Sequence, residues 1–136
     1  MNLELERVLK LQELKLKELL KLLDKQHELI LSKNLFELEA IVEEIQIKNK
    51  EIAQVEVERR KILGGISIKE YILKSNQKDL DEMYRRINKL LNEMVLQNDT
   101  NELLIKQQLT FTNKLINIMT PKKEVAVYNS YGNIKR

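Results

Sequence analysis

The chain of 136 residues contains no cysteine, no tryptophan, a single proline and three glycines. Without cysteine there is no disulfide, no thiolate metal site and no thiol nucleophile, and the composition suits a reducing compartment. So few glycines and prolines cannot punctuate a many-stranded β fold. There is one histidine, His27, and with no second histidine and no cysteine a structural zinc site is not expected. Long hydrophobic runs are missing too. Nothing approaches the roughly 18–20 uninterrupted apolar residues of a membrane span. Met1-Asn2-Leu3-Glu4-Leu5-Glu6 places acids where a signal peptide places bases, which predicts a cytoplasmic protein made without processing and not inserted in a membrane.

Catalytic chemistry is equally sparse. Glu43-Glu44 and Asp81-Glu82 are adjacent pairs and diverge on a helix, so neither converges on a substrate. Gly64-Gly65 follows no strand and carries no GK[ST] sequence, so it is not a phosphate loop. No nucleophile–base pair stands out, and the reading is a non-enzyme without cofactor or metal. The net charge is +3, yet residues 1–119 carry 20 basic and 20 acidic side chains. The excess sits in Lys122, Lys123, Lys135 and Arg136, against Glu124. A neutral body with interspersed signs makes a poor phosphate-neutralising surface, so nucleic acid is not an expected partner.

What is present is helical pattern. Leu5, Leu9, Gln12, Leu16, Leu19, Leu23, Gln26 and Ile30 fall on alternating three- and four-residue steps, one face of a helix over about residues 2–32. Val8, Leu11, Leu14, Leu20, Leu22 and Leu29 widen this stripe, and a broad stripe requires a bundle rather than a two-stranded seam. Asn34 followed by Glu37 predicts a capped start for a second helix over 35–63, with a seam of Leu38, Ile41, Ile45, Lys48, Ile52, Val55, Arg59 and Ile62. Gly64-Gly65 ends it. Ser67 and Glu70 suggest a short helix over about 67–73, and Asn76 with Asp79 the start of a last helix over 76–119, stopped before Pro121. Asn98-Asp99-Thr100-Asn101 permits a bend without forbidding continuity. Residues 121–136 lack helical periodicity and read as a flexible tail, with Val125–Tyr128 a short extended piece. The fold class is therefore all-α, an antiparallel three-helix bundle or coiled coil over residues 1–120, with a long C-terminal helix.

Length sharpens the functional reading. The last helix, about 44 residues, extends roughly 65 Å, whereas the first two reach roughly 45 Å each. Some of its C-terminal end is thus expected to lack cover. Leu103, Leu104, Ile105, Leu109, Phe111, Leu115, Ile116, Ile118 and Met119 project there around most of the circumference. Apolar surface of that extent calls for a partner. Either a foreign polypeptide or a second copy, giving a homodimeric coiled-coil scaffold or adaptor, would complete it. Lys48 and Arg59 interrupt the second seam, and Asn98, Asn101, Gln108 and Thr112 the last one. Such residues fix helix register or snorkel to solvent. His27 is assigned to the last turn of the first helix, where its charge suits the helix dipole.

The run Asn98-Asp99-Thr100-Asn101-Glu102-Leu103-Leu104, then Leu109, Phe111, Leu115 and Ile116, then a spacer and Tyr131-Gly132, resembles the C-terminal half of FlgN-type flagellar export chaperones. The leucine-rich first helix, the loop before Leu35 and Arg59 near the end of the second helix are similar to that family as well. The resemblance implies a small cytoplasmic chaperone that uses no ATP and no metal. It would hold the C-terminal helical region of hook-associated proteins unassembled and bring them to the flagellar type III export gate. It implies client contact through Leu103, Leu104, Leu109, Phe111, Leu115, Ile116 and Met119, and makes Tyr128 and Tyr131 candidates for client or gate contact.

Overall fold

In the computed structural model, residues 2–119, 127–128 and 134–135 are described. The chain divides into two compact units, Met1–Glu102 and Leu103–Arg136. The first is built from helices α1 (Asn2–Ser32), α2 (Leu35–Leu63), α3 (Ile68–Ser75) and the greater part of α4 (Lys78–Met119). The fold is all-α and bundle-like, with a long C-terminal helix.

All eight positions of the α1 stripe, Leu5 through Ile30, are buried. That follows from the 3-4 spacing, which keeps one row of side chains on the axis of the bundle. The chain reverses at Lys33, which takes a left-handed φ of 58°, and Asn34 accepts a hydrogen bond from the Glu37 amide at 3.2 Å to cap α2. The reversal makes α1 and α2 antiparallel, as their cross-links record: Arg7 to Glu58 at 2.6 Å, Lys15 to Glu51 at 2.8 Å and Lys48 to Glu18 at 3.2 Å. Every residue of the expected α2 seam is buried or half-buried.

Gly64 ends α2 at φ 59°, its amide donating to the Arg60 carbonyl. Ser67 caps α3 by accepting from the Glu70 amide at 3.1 Å. This short helix turns Ile68 and Ile72, one helical turn apart, into a core shared with Leu5, Leu9, Leu16, Leu63, Leu80, Met83 and Ile87. One boundary differs from the sequence expectation. Asn76 does not begin the last helix. It adopts φ 52° and donates its amide to the Ile72 carbonyl, closing α3, and α4 begins at Lys78. Asparagine is favoured both as an N-cap and in the left-handed closing position, so the local signal points both ways. Helix α4 is continuous through Asn98–Asn101. It runs parallel to α1, since Arg86 pairs with Glu13 at 2.7 Å and Asn101 bonds to Leu23 and Gln26 further along.

On the α1–α2 surface Lys15, Glu18, Lys48 and Glu51 form a network. Hydrogen bonds from Lys15 and then Lys48 hold the Glu51 carboxyl below its usual range, and the bond to Glu51 raises the Lys48 ammonium. A carboxyl whose folded pKa lies below its unfolded one adds stability above the unfolded pKa, and that contribution is lost as pH falls through the folded value. Glu51→Gln is therefore expected to flatten the acid limb of a melting-temperature-against-pH curve while leaving the slope between neutral and mildly alkaline pH unchanged. Circular dichroism melts across the carboxylate range measure this.

The second unit comprises Leu103–Met119 of α4 and an antiparallel pairing of β1 (Val127–Tyr128) with β2 (Ile134–Lys135), Val127 opposite Lys135 and Tyr128 opposite Ile134. The extended piece expected over Val125–Tyr128 is present at Val127 and Tyr128. The Tyr128 side chain and all of Tyr131 lie outside the described residues.

Candidate client-docking face

A single row of positions runs the length of α4: Leu80, Met83, Ile87, Leu90, Met94, Gln97, Asn101, Leu104, Gln108, Phe111, Leu115 and Ile118. The steps alternate between three and four residues, so all lie on one stripe of the helix. From Leu80 to Asn101 every member is buried or half-buried. Leu104 and Gln108 are half-buried, and then the row emerges: Phe111 is 59% exposed, Leu115 41% and Ile118 80%. Leu109 and Ile116 lie with half-buried Ile105 on a second stripe, about 120–160° round the helix from Phe111, and both are exposed, as are Leu103 and Met119. Of the seven residues assigned to client contact, Leu104 alone is not exposed.

A polar cluster stands where the buried part of the row ends. Asn101 is only 1% exposed. Its Nδ2 donates to the Leu23 carbonyl at 2.9 Å and to Gln26 Oε1 at 3.0 Å, while its Oδ1 accepts from Gln97 Nε2 at 3.0 Å. His27 Nδ1 is 3.2 Å from the same Oδ1. The amide is thus satisfied at both ends, which is what makes a buried asparagine tolerable. Only one sliding position of α4 against α1 brings these groups together, so the cluster selects a register as a buried polar coiled-coil position does. His27 precedes the last turn of α1, which holds no basic residue, so its neighbour is Asn101 rather than the helix end. Of the other polar residues assigned to the last seam, Asn98 and Thr112 are exposed. In α2, Arg59 Nη1 donates to Gln12 Oε1 at 3.3 Å, and Lys48 reaches Glu18 and Glu51. The Arg59–Gln12 contact ties α2 to α1, as the Asn101 cluster ties α4 to α1.

The face can thus present an apolar strip to another helix. A family model described as FlgN protein matches residues 1–136. The chain belongs to the FlgN family. No curated protein and no solved structure matches it. The FlgN family consists of flagellar export chaperones rather than enzymes, and flagellar proteins are accordingly its partners. Among the described residues no helix is long and apolar enough to cross a membrane.

Proposed function

We propose that this chain is a cytoplasmic export chaperone that binds the C-terminal helical region of flagellar hook-associated proteins through Leu103–Met119 of α4. It prevents their premature assembly and delivers them to the export gate. The helical body, residues 1–120, holds the client, while the tail, residues 121–136, contributes Tyr128 and Tyr131 to client or gate contact. The observation that supports this most is the emergence of the α4 stripe. The same spacing that packs Leu80–Met94 inside the bundle carries Phe111, Leu115 and Ile118 into solvent. Recognition would be of the helix-in-groove kind. Hook-associated proteins polymerise through amphipathic terminal helices, and occupying such a helix blocks polymerisation. Burying four or five of these side chains contributes about 1.5–3 kcal/mol each before ordering and association costs, which allows micromolar to nanomolar binding and hence release. Co-purification of the full chain with hook-associated proteins, followed by a mass measurement in solution, tests the reading. A defined complex is expected. A tight dimer that no hook-associated protein displaces would instead assign the face to self-association.

A further inference from the structure

The charge of the exposed segment differs from that of the rest of the chain. Residues 1–102 hold 18 basic and 20 acidic side chains, whereas residues 103–119 hold two lysines, Lys106 and Lys114, and no acid. Residues 120–136 add four basic residues and one acidic. Neither lysine ammonium has an ion-pair partner among the described residues. Both line a shallow depression of about 290 Å³ with Gln107, Thr110 and Phe111. On a helix Lys114 lies about 60° from Phe111, whereas Lys106 lies about 140° from Phe111 and about 60° from Leu109. Lys114 therefore borders the apolar strip of Leu104, Phe111, Leu115 and Ile118, Lys106 borders Leu109 further round the helix, and no acid of residues 103–119 stands beside either.

Resting on the docking face proposed above, we infer that its occupant is an amphipathic helix whose apolar stripe is flanked on one side by aspartate or glutamate. An acid on the edge of the client helix that faces Lys114 would match this border, with Lys106 adding to the positive field of the segment. Charge argues against the alternatives within the molecule. A second copy of this segment would bring lysine toward lysine, and residues 120–136 carry the same sign as the face. An anionic bilayer is also disfavoured, because two lysines supply little surface attraction. The apolar strip provides affinity, and the lysine edge sets which side of the client helix lies where and speeds encounter.

The test uses the full chain and three synthetic helical peptides, each three heptads long. All share one leucine–isoleucine stripe, and the flanking positions of one edge are glutamate, glutamine or lysine. Affinities measured by fluorescence anisotropy at low salt are expected to fall in the order glutamate, glutamine, lysine. The span between the extremes is roughly fivefold, the scale of one exposed ion pair exchanged for one repulsion. The span should collapse in 1 M salt, where screening reaches about 3 Å, and the order should reverse in the Lys106→Glu, Lys114→Glu double variant. Equal binding of all three peptides, lost on Phe111→Asp, would overturn the acidic partner while leaving the docking face in place. Failure of every peptide to bind, a dimer formed through this face, or binding to phosphatidylglycerol vesicles in preference to the peptides would overturn both.

Discussion

Phe111→Asp is expected to weaken capture of a hook-associated protein by at least a hundredfold while leaving the far-ultraviolet helical signal unchanged. Phe111 is 59% exposed, so more than half of its surface remains to be covered by a partner. Removing that burial loses about 1–2 kcal/mol. Placing a carboxylate against the client's apolar stripe adds a desolvation cost of about 2 kcal/mol or more. Each 1.4 kcal/mol is about a factor of ten, which gives the hundredfold. In the free chain the same carboxylate faces water, and phenylalanine and aspartate have similar helix propensities. Leu104→Asp should also abolish binding, but Leu104 is half-buried, so part of its effect will appear as lost stability. Titration of a labelled client fragment, with circular dichroism on the same samples, separates the two. Unaltered binding by Phe111→Asp would remove the face from the mechanism.

The second large effect concerns Asn101. Asn101→Ala is expected to destabilise the chain by about 2–3 kcal/mol, from a small cavity and from leaving the buried Gln26 carbonyl without its donor. At roughly 3–4 °C per kcal/mol for a chain of this size, this lowers the melting temperature by about 6–12 °C. Replacing both buried side chains, Gln26→Leu with Asn101→Leu, should recover part of the loss, because the buried Gln26 carbonyl is no longer orphaned while Gln97 and His27 are half-buried and can turn to water. What the double variant should lose is a unique register. The absence of cysteine from the chain makes this measurable. Cysteines introduced for Glu13 and Arg86, whose side chains meet in the native register, should cross-link through a short bis-maleimide in the parent and only partly in the double-leucine background. A fully cross-linked double variant would show that side-chain packing alone sets the alignment of α1 and α4.

The two helices that bury the most leucine were the most legible. The α1 stripe could be read position by position because each three- or four-residue step is met by an apolar or glutamine residue, and all eight are buried. The ends of α2 followed from local chemistry at Asn34 and Gly64. Asn76 closes α3 instead of opening α4, and its two capping roles look alike until the flanking backbone is known. Asn101 lies in a stretch of weak helix formers that permits a bend without requiring one, and α4 is continuous through it. The role of Asn101 depends on Leu23, Gln26 and His27, which are 74–78 residues away in the chain, and no local pattern encodes such a meeting. The apolar strip from Leu103 to Met119 was visible in sequence, as was its excess of apolar circumference. The difference between exposed Phe111 and half-buried Leu104 was not, because it depends on packing rather than periodicity.

The connection between α1 and α2 is only Lys33 and Asn34. So short a link costs little closure entropy, and the contacts it enables are close in sequence, which favours rapid formation. Translation delivers the N-terminal part first. The hairpin of the first two helices can therefore zip up before the last one has left the ribosome, and α4 arrives as a latecomer to a ready-made cradle.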